Sequence, residues 1–250
     1  MLNILLCGCG GRMGAAVVEA ACAAGDRVVA GVDINPAVSS PFPVYASPAD
    51  FPGKADVIID FSHHTALSGL IDYAKKSGLP LVVCTTGHSD EQLAMMREAA
   101  KEIPLFFSRN MSLGINLLIS LCRRAAQTLG EDFDIEIIEK HHNKKLDAPS
   151  GTVLMIADAI TEGQDEKPYI YDRHAERRQR AKGEIGLHAV RGGNIVGEHE
   201  VMFCGQNEIV TLSHSAASRE VFATGALRAA RFMQGKGPGF YNMDDVIGTL

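Results

Sequence analysis

No stretch of the 250 residues approaches the ~20 consecutive apolar residues that span a bilayer, and no basic leader precedes the short apolar run in MLNILLCGCGGRMG. A spanning or secreted protein is therefore not indicated, and a cytoplasmic one is expected. There is no C-x-x-C pair. The six cysteines (Cys7, Cys9, Cys22, Cys84, Cys122, Cys204) are scattered through apolar segments, which argues against a disulfide framework or a zinc site and predicts buried, reduced thiols. Positive charge is also short: the net charge is -6, so nucleic acid and membrane surfaces are not expected partners. The strongest charge run, DRHAERRQRAK from Asp172 to Lys182, is predicted to be a mobile surface loop.

What remains is an ordinary apolar fraction of 46% and enough chain for one large or two small domains. In the first hundred residues short apolar runs alternate with amphipathic stretches, the pattern of repeated βα units. Strands are predicted at 3–7, 27–33, 57–61, 81–84 and 105–107, with helices at 13–24, 65–76 and 90–101. After Ser112 the rhythm changes to a long helix at 113–129, a strand at 134–138 and a helix at 153–160. Strands at 185–191, 195–204 and 208–214 follow without helices between them, and a last helix is predicted at 219–233. The fold class expected is α/β: a Rossmann-like doubly wound parallel sheet plus a second α+β domain with a mixed or antiparallel sheet. The expected division is 1–111 with 217–250 for dinucleotide binding and 112–216 for substrate binding and oligomerisation.

The first predicted strand runs into Gly8-Cys-Gly10-Gly11-Arg12-Met13-Gly14 and then a helix. Glycines at such a turn let the backbone approach a pyrophosphate, which the free amides and positive dipole end of the helix hold. Met13 breaks the strict G-x-G-x-x-G spacing, whereas Gly8, Gly11 and Gly14 fit G-x-x-G-x-x-G. Asp33 ends the second strand, where a carboxylate receives the adenosine ribose hydroxyls of a dinucleotide. That carboxylate repels a 2′-phosphate, but Arg12 in the turn offsets it, so both NADH and NADPH are expected to serve, with NADH favoured.

The densest chemistry lies in EKHHNKKLDAPSGT, Glu139 to Thr152. Two histidines, two lysines and a hydroxyl-rich turn suit a carboxylate-bearing small molecule. None of the five tyrosines is followed four residues later by lysine, and no serine or cysteine sits in a nucleophile elbow. That leaves hydride transfer assisted by a cationic site, with His141, His142 and Lys145 as candidates. On an extended strand adjacent histidines face opposite ways, which argues against both holding one metal. Lys144 is expected to face solvent, and His188, His199 and His214 to be structural.

With these motifs the chain resembles the 4-hydroxy-tetrahydrodipicolinate reductase (dihydrodipicolinate reductase) family of the diaminopimelate pathway to lysine. The resemblance runs the whole length: GCGGRMG, Asp60-Phe61-Ser62, Thr85-Thr86-Gly87, Asn110 to Asn116, the Glu139 to Thr152 block, Arg191-Gly-Gly, Val196-Gly-Glu-His199 and Phe222-Ala-Thr-Gly225-Ala. It implies that His141 and Lys145 are the catalytic pair, one of them protonating the ring nitrogen as hydride reaches the neighbouring carbon. It implies that His142, Ser150, Gly151 and Thr152 grip a substrate carboxylate. On the cofactor side it adds Phe61, Ser62, Thr85, Thr86 and Gly87 at the nicotinamide end and Asn110 and Met111 at the domain junction, beside Gly8, Gly11, Arg12, Met13, Gly14 and Asp33. It also implies a homotetramer. Two positions depart from the family pattern: Cys84 replaces a usual glycine and Arg109 a usual small residue. Competing readings, a nicotinamide oxidoreductase for another amino-acid precursor or a redox-sensing regulator, lack respectively a different acid pair and a helix-turn-helix or basic module.

Overall fold

The computed structural model describes residues 1–163, 167–174 and 177–248. In chain order the first elements are β1 (Asn3–Cys7), α1 (Arg12–Ala23), β2 (Arg27–Val32), β3 (Val44–Tyr45), β4 (Val57–Asp60), α2 (Leu67–Ser77), β5 (Leu81–Val83), α3 (Asp90–Ala99) and β6 (Pro104–Phe107). Next come α4 (Leu113–Leu129), β7 (Asp134–His141), α5 (Gly151–Thr161), β8 (Tyr169–Ile170), β9 (Ile185–Arg191), β10 (Gly197–Cys204) and β11 (Ile209–Ala216). The chain closes with α6 (Glu220–Phe232), β12 (Gly239–Tyr241) and α7 (Met243–Ile247). Two compact units result: Met1–Leu113 together with the chain from Arg219 onward, and Gly114–Ser218.

In the first unit the strands pair in parallel in the order β12-β6-β5-β4-β1-β2-β3. Buried side chains alternate along the strands, as period two requires. Ile4 and Leu6 face a core with Val17 and Ala21 of α1 and Ala226 and Ala230 of α6. Leu5 and Cys7 face a second core with Leu70 and Ile71 of α2 and Met96 of α3. This is a doubly wound α/β unit. From β1 the chain first adds strands on one side and then on the other, so the C-terminal ends of β1 and β4 form the switch point where such folds leave a crevice.

The second unit holds a mixed sheet in the order β11-β10-β7-β9-β8, with β7, β9 and β8 parallel to one another and β10 antiparallel to both neighbours. One face is apolar at one end: Ile135 and Ile137 lie opposite Phe203 and Val201 on β10 and Ile185 and Leu187 on β9. Helices α4 and α5 cover these side chains with Ile115, Leu118, Ile119, Val153 and Ile156.

Several expectations need correction. Strand β7 runs three residues beyond the predicted end at Ile138 and carries His141 as its last residue, because β10 and β9 continue to pair with it through Lys140 and His141 respectively. Helix α5 starts two residues earlier than predicted, at Gly151, since Ser150 caps it. Arg173, Arg178 and Arg180 of the Asp172–Lys182 run are pinned rather than free. Arg173 bridges Glu136 and Glu184 at 2.8 and 2.9 Å, and Arg180 reaches Asp134 at 2.6 Å and Glu136 at 3.1 Å. Ala175 and Glu176 of that run, and Thr249 and Leu250 of the tail, lie outside the described residues. Of the cysteines, Cys7, Cys84 and Cys122 are buried, but Cys9 and Cys204 are half-buried and Cys22 is exposed in the last turn of α1; all six are free. Among the described residues no helix is long and apolar enough to cross a membrane.

Candidate active site

In the first unit the candidate residues gather at the C-terminal strand ends. Gly8 follows β1 with φ of +77°, a region that favours glycine, and a Cβ there would lie 2.5 Å from the Phe61 carbonyl oxygen. A Cβ on Gly14 would meet the Cys9 and Gly8 carbonyl oxygens at 2.5 and 2.6 Å, so the first turn of α1 is seated against the glycine turn by the lack of a side chain. Gly11 caps α1 and no side chain fills its place in capping the helix. These are the features a diphosphate needs: close backbone approach and unspent helix-start amides. Arg12 opens the helix and is exposed, while Met13 is half-buried against the core.

Asp33 follows β2 and is turned toward the same loop. One carboxylate oxygen accepts from the Gly10 amide at 2.9 Å and the other from the Asn35 amide at 3.1 Å. At the end of β4, Asp60 is buried and accepts from the Ser62 amide (2.9 Å), the Ser62 hydroxyl (2.5 Å) and the Thr85 hydroxyl (2.7 Å). Burial pushes its carboxyl up from the usual value even though the three donors pull the other way. Asp60 thus ties together the loops after β4 and β5, which carry Phe61, Ser62, Thr85, Thr86 and Gly87. Asp60 has no role legible in the sequence alone. Cys84 is accommodated: its side chain is buried in the core with Val82 and Phe106, where burial raises the thiol pKa. Arg109 is exposed, Met111 is buried in the same core, and the Asn110 side chain accepts from the Ser112 amide at 2.9 Å.

In the second unit the apolar half of the sheet face gives way to a polar half in the same registers. Along β7 the buried residues are Ile135, Ile137, Glu139 and His141. His199 of β10 lies opposite Glu139, and Arg191 of β9 opposite His141. The Glu139 carboxylate is fully buried. It meets His141 Nδ1 at 2.5 Å and accepts from both terminal nitrogens of Arg191 at 2.7 Å and from the Ser150 amide at 3.0 Å. Burial pushes this carboxyl up, but the bonds from Arg191, His141 and Ser150 outweigh it and hold it below the ordinary carboxylate range.

The rings of His141 and His199 meet edge to face with centroids 5.3 Å apart. Burial, then the neighbouring His141, and further on His214 and Lys145, push His199 down to about 4, so it is neutral at physiological pH. His199, expected to be structural, and Arg191, given no role by the sequence, also lie in this cluster. His188 instead meets Glu136 at 2.7 Å, the structural role expected of it. Lys145 is paired with Asp147 at 2.8 Å, which lowers the Asp147 pKa, and Lys144 is exposed as expected. His142 follows the strand end and is half-buried. Ser150 is buried, its hydroxyl accepting from the Val153 amide at 3.4 Å as the cap of α5; Gly151 and Thr152 form the first turn, the former exposed.

The geometry thus offers a dinucleotide cradle in one unit and, in the other, a cationic and imidazole cluster beside a helix start. Comparison with known proteins adds the family. The family model described as "Dihydrodipicolinate reductase, N-terminus" matches residues 2–111, and that described as "Dihydrodipicolinate reductase, C-terminus" matches residues 114–247. The 4-hydroxy-tetrahydrodipicolinate reductase of Caldanaerobacter subterraneus subsp. tengcongensis is 54% identical over 249 residues, covering 99% of this chain and 98% of its own. That of Clostridium botulinum is 49% identical, covering 99% of each chain. Among solved structures, the dipicolinate-bound dihydrodipicolinate reductase from Paenisporosarcina sp. TG-14 shares the fold with a TM-score of 0.81 at 24% identity, covering 97% of both chains. The chain belongs to the dihydrodipicolinate reductase family, and its reaction is the NAD(P)H-dependent reduction of 4-hydroxy-tetrahydrodipicolinate on the diaminopimelate route to lysine.

Proposed function

We propose that the two units divide this reduction between them: residues 1–111 with 217–250 carry the nicotinamide cofactor, and residues 112–216 carry the dicarboxylate ring and the oligomer contacts of a cytoplasmic homotetramer. The observation that carries this reading is the cluster in which His141, Lys145 and the start of α5 lie in one short stretch beside a neutral His199. Few structural needs call for that set, whereas a dianionic substrate that gains electrons does.

The cofactor supplies hydride when bound. Gly8, Gly11, Arg12, Met13 and Gly14 hold its diphosphate, Asp33 its ribose, and Phe61, Ser62, Thr85, Thr86, Gly87, Asn110 and Met111 its nicotinamide end. His142, Ser150, Gly151 and Thr152 hold a substrate carboxylate through the imidazole and the α5 start, and His141 or Lys145 delivers a proton to the ring nitrogen. General acid help of this kind contributes about 10²- to 10⁴-fold. Asp33 makes NADH the better donor, with NADPH accepted through Arg12.

The test is oxidation of NADH in the presence of freshly generated dihydrodipicolinate precursor, against a control without it, for the native chain and for Lys145→Ala and His141→Ala. Loss of kcat with cofactor binding retained supports the reading. Near-native turnover in both variants removes the proton-delivery assignment. Sedimentation of the native chain as a monomer removes the tetramer.

A further inference from the structure

Glu139 has the surroundings of a group with a task. A carboxylate buried beneath a sheet face is costly unless paired and fully hydrogen-bonded, and Arg191 alone, gripping both oxygens at 2.7 Å, would neutralise it. Yet the oxygen Oε2 is also placed 2.5 Å from His141 Nδ1, and Oε1 takes the Ser150 amide at the head of α5. The carboxylate lacks protons of its own to donate, so the hydrogen at that contact sits on His141 Nδ1, and the other ring nitrogen is left for exchange.

Space at that other nitrogen is also provided. Gly197 of β10 approaches it so closely that a Cβ would lie 3.1 Å from His141 Nε2. A side chain there would occupy the one nitrogen that Glu139 does not.

We infer that Glu139 is a positioning residue for the reduction: it fixes His141 as the Nδ1–H tautomer and orients the ring, and so presents Nε2 as the atom that gives up the proton. The inference rests on the catalytic assignment of His141 made above. The proton balance is simple. The imidazolium carries hydrogen on both nitrogens; Nε2 gives its proton to the ring nitrogen of the substrate, and the neutral ring left behind keeps Nδ1–H toward Glu139 until solvent restores the lost proton. Arg191 contributes by keeping Glu139 ionised and oriented, and its second bond from the Nη2 nitrogen to the Asp147 carbonyl at 2.6 Å ties this support to the loop that carries Lys145. The charged and titratable groups around the pair are Arg191 from β9, His199 from β10 with His214 of β11 behind it, and Lys145 from the loop.

Three measurements on the full-length protein test this. Nitrogen-15 NMR of the native chain, at a pH where His141 is neutral, should show hydrogen on Nδ1; hydrogen on Nε2 overturns the inference whether or not any variant folds. Glu139→Gln, checked for native circular dichroism, should lose at least about tenfold in kcat, as when other carboxylates that orient an imidazole are removed, with its NADH dissociation constant unchanged. Its nitrogen-15 spectrum should also lose the preference for hydrogen on Nδ1 of His141. A merely structural Glu139 would leave the tautomer unmoved, and unchanged kcat and tautomer in this variant overturn the inference. His141→Gln separates the two levels: if it keeps native kcat, the assignment of His141 itself falls and this inference with it, whereas lost kcat in His141→Gln with native behaviour in Glu139→Gln removes only the role given to Glu139.

Discussion

The two units present binding groups of different kinds. In the first, the candidate cofactor cradle is main chain: a left-handed Gly8, a Gly14 on which no Cβ fits and a helix start without a side-chain cap. In the second, the cluster is made of side chains that four separate segments bring together: Glu139 and His141 from β7, Arg191 from β9, His199 from β10 and Ser150 at the head of α5. A backbone site is local in sequence and is most sensitive to change at its glycines. A side-chain site depends on strand register, where a slip of one residue would turn every one of its groups to the other face.

The largest effect expected is on the side-chain site. His141→Gln and Lys145→Ala should each lower kcat, by about 10²- to 10⁴-fold for whichever is the acid, while isothermal titration finds native NADH affinity. Weakened NADH binding in these variants would break the division of labour between units. Next, Gly14→Ala should weaken NADH binding by about 5- to 150-fold, the equivalent of the 1–3 kcal/mol that overpacking costs. Gly69→Ala, at an open position in α2 where an added Cβ meets nothing within 4 Å, is the matched control.

The third effect is on stability. His199 is held at about 4 against an unfolded value of 6.5, so the native state favours its neutral form. That contribution is fully present above the unfolded value and is lost as pH falls toward 4. Between neutral pH and about pH 5 the loss is on the order of 2 kcal/mol, measurable by urea unfolding, and His199→Gln should flatten the slope. An unchanged slope would mean that the burial of this ring carries no such cost. The smallest effect concerns cofactor choice: Asp33→Asn removes the charge while leaving an oxygen for the Gly10 amide, and should raise the NADPH to NADH ratio of kcat/KM by about tenfold, equivalent to about 1.4 kcal/mol. A fixed ratio would sink the electrostatic argument for Asp33.

The same contrast explains what could be read from sequence. The glycine turn, β1, α4 and β9 were legible almost to the residue, since each is set by local spacing or apolar period. The two-residue strands β3 and β8 and the short β12 carry no period of their own; they are strands only because a neighbour pairs with them. Predicted β7 stopped at Ile138 because Glu139-Lys-His-His looks like solvent-exposed loop. That stop hid the fact that Glu139 and His141, two apart on a strand, share the buried face with Ile135 and Ile137. With the strand extended, the pairing of Glu139 with His141 follows from period two alone. The parts played by Arg191 and His199 do not, because they need the registers of β9 and β10. Asp60 was visible as a strand-end aspartate, but its hold on both Ser62 and Thr85 depends on the pairing of β4 with β5.

The chain leaves the first unit near Leu113 and re-enters it at Arg219, and this sets an order of completion during synthesis. The second unit is contiguous and has all of its strands once Ala216 has emerged. The first must wait for residues 220–241, since β12 closes one edge of its sheet beside β6 and α6 packs against α1 with Arg231 held to Asp26 at 2.5 Å. Residues 2–111 match one family model, and yet that stretch lacks a strand, β12, and two helices, α6 and α7, of its own unit. Of the two units, the one whose strands emerge earlier is therefore the one completed later.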